Sequence, residues 1–239
     1  MDKINNDLQE FYNADFLRAR VLESMRDYMS KPENETGEKI TELPQIQFDY
    51  VLTVAGRSVF GGMDTQHDYL LLCLLCVVYI EIVTKYNKYV SLEAFASFVN
   101  LPAEFVRTWE NDRRSIKKGL YLDNIITELT NIYRSTNFNY NNLYDYIYSC
   151  DAFNSWGELI TAVNGSIFVR LQNVRENSIK SAFLQAKQQL GAIALVNREF
   201  GWSADTVTQV ERARALSLSD LPKLQSYVNP QKQIESLET

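Results

Sequence analysis

Histidine occurs once in this 239-residue chain, as His67, and cysteine three times, as Cys73, Cys76 and Cys150. A single imidazole excludes metal centres built on several histidines. His67 lies between Asp64 and Asp68 just ahead of an apolar run, and reads as a surface or capping residue rather than a catalytic base. The odd cysteine count has no framework spacing, and the N-terminus lacks a basic segment followed by an apolar one. Together these lead us to expect a reducing, cytoplasmic setting. Cys73 and Cys76 form a CxxC, but in the context LLCLLC they have no polar neighbours and read as buried small hydrophobes. Neither GxxxxGK[ST] nor GxGxxG is present, so no nucleotide site and no cofactor are expected. The longest apolar stretch, residues 69 to 83, holds about a dozen consecutive apolar residues before Glu81, short of the roughly 18 to 20 of a membrane span. It reads as a core helix, and no membrane partner is expected.

Glycine and proline are also scarce, nine and five residues, so helical periodicity runs uninterrupted between a few breaks. The expected fold class is all-α. With 46% apolar residues the chain can bury a sizeable core. Its net charge of -6 argues against a protein that coats nucleic acid with its whole surface, so any DNA contact must come from a local basic patch.

Four regions are expected. Residues 1–67 form an N-terminal helical extension, with Phe11, Phe16, Leu17, Val21, Leu22, Met25 and Tyr28 at helical intervals. In it, residues 31 to 44 have the composition of a polar linker, and Gly56, Gly61 and Gly62 mark a second irregular segment. Residues 68–134 form a helix-turn-helix domain closed by a helix, LDNIITELTNIYR, with apolar residues three and four apart. Residues 135–203 begin with a Tyr/Asn-rich loop and short aromatic helix and continue as a helical hairpin. Ser155 and Glu158 have capping-box spacing at its start, and Asn164-Gly165 is expected to end its first helix before a second from Ser166 to Phe200. Residues 204–239 form the C-terminal tail region, a short polar helix from Ala204 to Ala215 followed by a flexible tail with a small apolar knot.

The informative segment is LEAFASFVNLPAEFVRTWEN, residues 92 to 111. Two short helices that cross steeply need a small residue at the crossing and a turn residue tolerant of left-handed backbone. They also need apolar residues at fixed offsets. Ala96 is the small residue and Asn100 the turn residue, asparagine being well suited to positive φ. Phe95, Val99, Leu101, Val106 and Trp109 fill the apolar offsets, and Pro102 suits the first turn of the second helix. That helix presents Arg107, Thr108 and Asn111 to a DNA groove, and Arg113, Arg114, Lys117 and Lys118 follow as the one dense basic cluster. Arg107 and Asn111 suit base edges, whereas the later cations suit phosphates. Glu104 is discordant beside phosphate unless it pairs with Arg107 or accepts from a cytosine. The same offsets also occur in three-helix packing modules that never touch DNA.

The order of parts, YIEIVTKYNKYVSLEAFASFVNLPAEFVRTW followed by LGAIALVNREFGWSADT, resembles the small subunit of tailed-phage terminases. The resemblance covers about residues 78 to 225, and residues 191 to 202 match that family's closing helix. It implies a non-enzymatic, homo-oligomeric ring, with the hairpin of the 135–203 region as its oligomerisation element, that binds double-stranded viral DNA through the helix-turn-helix and recruits the large terminase subunit. The tail residues Leu218, Leu221, Pro222 and Leu224 would make that second contact. Two other readings stay open: a dimeric helix-turn-helix transcriptional regulator, and a structural or interaction protein of a phage or mobile element.

Overall fold

The computed structural model describes residues 12–31, 34, 39–115, 121–136, 140–147 and 153–185. The chain divides into two compact units, residues 1–178 and 179–239. In the second, only residues 179–185 are described. The fold class is all-α, and no strand occurs among the described residues. The α-helices are α1 (Ala14–Met29), α2 (Gln45–Phe60), α3 (Tyr69–Lys85), α4 (Leu92–Phe98), α5 (Ala103–Asp112), α6 (Leu122–Ser135), α7 (Tyr140–Ile147) and α8 (Trp156–Gln185). No helix among the described residues is long and apolar enough to cross a membrane.

Helix α3 is the core helix expected from its apolar run. A helix that is apolar on every side must be covered on every side. Nearly every residue from Leu70 to Val83 is buried, and α1, α4 and α6 pack against it. Its first turn is held by Asp68, which is itself buried. The carboxylate accepts from the Leu71 N–H at 3.0 Å, the Tyr12 hydroxyl at 2.6 Å and the Tyr133 hydroxyl at 3.2 Å. One cap residue therefore joins the segment before α1, the start of α3 and the end of α6, and a buried carboxylate needs that many donors. Cys73 and Cys76 are fully buried on α3, and burial raises both thiol pKa values, so neither supplies a thiolate at neutral pH. At the other end of the helix, Asn87 adopts φ 53°. The Asn87 N–H donates to the Thr84 carbonyl and the Lys88 N–H to the Val83 carbonyl, closing the last turn.

The N-terminal residues do more than extend the fold. Leu17, Val21, Leu22 and Met25 of α1 and Phe48, Val51, Leu52 and Phe60 of α2 belong to the same buried cluster as α3, so the core runs across the boundary expected at residue 67. The second half of the polar stretch is pinned: Leu43 is buried, and the Lys88 ammonium donates to the Thr41 and Leu43 carbonyls above the Phe48 ring. Gln45 exchanges two hydrogen bonds with the backbone of Tyr89, at 3.1 and 2.9 Å.

Two local expectations are corrected. Gly56 lies inside α2, not in an irregular segment, and its role is steric. A Cβ built there would stand 2.4 Å from the Phe98 carbonyl oxygen and 2.7 Å from its ring. Glycine is what lets α2 lie directly on the end of α4. Nor does Asn164-Gly165 end a helix: α8 runs continuously from Trp156 to Gln185, so no hairpin forms within these residues. A glycine inside a helix costs about 1 kcal/mol. Here Leu159, Val163, Ile167 and Leu171 are all buried along the same stretch, each worth about 1.5–3 kcal/mol on burial, and packing wins. Asn164 is also occupied, its amide donating to Asp112 Oδ2 at 3.2 Å. The start of α8 does follow the expected capping pattern, the Ser155 hydroxyl accepting from the Glu158 N–H at 3.2 Å. The Glu158 carboxylate reaches back to Asn154 rather than to Ser155 itself.

The close approach at Gly56 yields a direct test. Gly56→Ala should destabilise the protein by about 1–3 kcal/mol, because the atom it meets first is rigid backbone. Chemical denaturation would read this as a lower midpoint at unchanged slope. The neighbouring Gly62→Ala, with open space around it, should leave the midpoint unmoved.

Candidate nucleic-acid interface

Helices α4 and α5 form the helix-turn-helix unit. Ser91 caps α4, its hydroxyl accepting from the Ala94 N–H at 3.3 Å. The helix ends at Phe98 with Val99 as its C-cap, and Asn100 turns the chain with φ 58°. The Asn100 N–H then donates to the Ser97 carbonyl at 3.2 Å and the Leu101 N–H to the Ala96 carbonyl at 2.8 Å. This doubly bonded left-handed closure satisfies carbonyls that would otherwise be orphaned, and it turns the chain sharply. The Val99 carbonyl takes a further bond, at 2.7 Å, from the buried Thr65 hydroxyl in the loop before α3. Pro102, extended at φ -61° and ψ 134°, stands at the cap of α5.

Every apolar offset read from the sequence is buried: Phe95, Val99, Val106 and Trp109 are fully enclosed, Leu101 is 8% exposed, and the small residue Ala96 is covered. Phe95 packs edge-on against Trp109 at 6.4 Å, and Tyr79 of α3 lies against Phe95 and Phe98. The Tyr79 hydroxyl is 3.1 Å from both the N–H and the carbonyl oxygen of Ser91, accepting from one and donating to the other. Burial raises its pKa, so it stays a donor at neutral pH. Thus α3 anchors both ends of α4, and α4 carries α5.

With Val106 and Trp109 turned inward, Glu104, Arg107, Thr108, Glu110 and Asn111 of α5 face solvent. Arg107 is held there. One terminal nitrogen is 3.0 Å from Glu104 Oε1 and the other 3.0 Å from Glu93 Oε1, on α4. The Glu93 hydrogen bond is the main reason the Arg107 pKa is raised. At Glu93, partial burial pushes the pKa up, but bonds from its own backbone N–H, Arg107 and Ser91 outweigh it and the net shift is downward. Glu104 therefore takes the first resolution its sequence context allowed, pairing with Arg107. Glu93 joins it from 14 residues away, a separation at which no helical spacing rule operates.

The remaining site residues separate. The Thr108 hydroxyl bonds back to the Phe105 carbonyl at 2.6 Å, and Asn111 is exposed. Arg113, expected to contact phosphate, turns instead toward α8: its guanidinium donates to Gln172 at 2.9 Å and lies over the Phe168 ring. Arg114 is exposed. Lys117 and Lys118, and the tail residues Leu218, Leu221, Pro222 and Leu224, lie outside the described residues, as do residues 191 to 202. Among the described residues no cluster of His, Cys, Asp and Glu is arranged to hold a metal ion. No protein-family model, curated protein or solved structure matches the chain.

The turn residue gives this unit its sharpest test. Asn100→Gly should leave stability within about 0.5 kcal/mol, since glycine adopts positive φ freely, whereas Asn100→Ala should cost about 1–2 kcal/mol. The two denaturation midpoints, compared side by side, would give the reverse order if the turn were not left-handed.

Proposed function

We propose that this chain is a non-enzymatic DNA-recognition protein that lays α5 in the major groove, and that it serves as the recognition subunit of a tailed-phage DNA-packaging complex. The observation that carries the DNA-reading part is the left-handed closure at Asn100. It sends Val106 and Trp109 inward and leaves Arg107, Thr108 and Asn111 on the outer side of the second helix, with Arg114 exposed in the turn just beyond it. A helix so presented matches the way helix-turn-helix proteins address base edges. Exposed ion pairs are weak, so Arg107 can exchange its carboxylates for the acceptor pair of a guanine. The packaging role rests on the resemblance of residues 78 to 225 to terminase small subunits. That resemblance also supplies the remaining roles: recruitment of the large subunit by the tail, a homo-oligomeric ring, and a host-cell cytoplasmic location.

A second reading has its own observation in its favour. Arg107 and Arg113 are both engaged within the protein, as they would be in a packing module that never meets DNA.

Binding of the full chain to duplex DNA, followed by fluorescence anisotropy over a salt series, separates the two. A DNA reader should lose affinity linearly in log salt, at a slope of about 0.9 per phosphate contact. Arg114→Ala should flatten that slope by about one contact. A chain with no salt-dependent binding, or one indifferent to Arg107→Ala together with Arg114→Ala, would establish the packing module. Light scattering then addresses the packaging role: a closed oligomer larger than a dimer is the expected result, and a dimer would shift the assignment to a regulator reading a palindrome.

A further inference from the structure

Arg107 donates through both terminal nitrogens, one to a carboxylate on α4 and one to a carboxylate on its own helix. The three side chains carry a net charge of -1 and all are about half exposed or more. A phosphate approaching this face therefore meets two carboxylates for one guanidinium, and generic attraction to the DNA backbone is weak here. A base edge offers a different exchange. Guanine presents O6 and N7 as a pair of acceptors for one guanidinium, and the cytosine paired to it presents an N4 donor. Glu104 stands one turn before Arg107 on the same face and is 83% exposed at its side chain, so the Glu104 carboxylate released by Arg107 can take that donor. Adenine and thymine offer no equivalent exchange, since a guanidinium finds no paired acceptors on adenine.

We propose, resting on the DNA-reading assignment above, that Glu93 and Glu104 are specificity-determining residues that hold Arg107 in an acidic clamp released by a G·C pair. Glu93 restrains Arg107 from the neighbouring helix and is a positioning residue. Glu104 both restrains it and meets the cytosine. The clamp makes the binding of α5 depend on base identity rather than on phosphate density.

The test uses the full chain as the wild type, Glu93→Gln/Glu104→Gln, Arg107→Ala and the triple variant. Each is titrated with two duplexes of equal length, one all G·C and one all A·T, at a fixed salt concentration. The readout is the ratio of the two affinities, and thermal denaturation confirms that each variant is folded. The wild type should prefer the G·C duplex by on the order of tenfold. The double glutamine variant should bind both duplexes more tightly with that ratio several-fold smaller, and Arg107→Ala and the triple variant should show ratios near one. A double variant that gains equally on both duplexes with its ratio intact would reduce the carboxylates to general repulsion and overturn the proposal. So would a wild type that binds DNA in a salt-dependent way without preferring G·C, although DNA reading would then stand. A wild type with no salt-dependent binding to either duplex would remove the DNA-reading assignment and the clamp with it.

Discussion

Helix α3 has no polar side to give to solvent, and the arrangement of the first unit follows from that constraint. A helix of this kind is stable only inside a jacket, and α1, α4 and α6 supply it. The polar groups at its ends then have to be satisfied from the jacket as well. At the start, Asp68 collects a backbone N–H and two tyrosine hydroxyls. Farther along, Tyr79 spends its hydroxyl on the backbone of Ser91, the residue that caps α4. Buried polar groups of this sort do little net work when satisfied and a great deal of harm when not, so they specify which neighbour goes where.

The helix-turn-helix unit is therefore not an independent module set beside a core. Its turn receives Thr65 from the loop before α3, and the last residue of α4 lies against the bare backbone of Gly56. Phe60 of α2 packs edge-on to Phe98 at 5.6 Å across the same crossing. The N-terminal helices set the position of α4, and through the short closure at Asn100 they set the direction of α5. Polar side chains along the outer side of α5 are thus presented by structure that begins about ninety residues earlier.

What the sequence disclosed was periodic or local. The apolar run of α3, the three-and-four spacing of α6 and the seven-position pattern of the helix-turn-helix are properties of neighbours along the chain, and each appears where it was expected. Asn100 was legible because few residues tolerate its backbone conformation. Gly56 misled for the complementary reason: a glycine required by tertiary contact looks the same in sequence as a glycine required by a turn. Asn164-Gly165 misled because local helix-ending tendency is small beside the burial of four aliphatic side chains on one helix. Of the expected interface residues, Arg107, Asn111 and Arg114 lie on the surface as read. Arg113 is used to pack α8, and Glu93 enters the site by a contact that sequence distance conceals.

The junction between α5 and α8 has a mechanical meaning. Asp112 and Arg113, adjacent at the end of α5, hold Asn164, Gln172 and the face of Phe168 at three points spread over more than two turns of α8. A single contact would act as a pivot, whereas contacts distributed along the helix resist rotation as well as separation. Moving the end of α5 therefore disturbs three separate anchors on α8 rather than one.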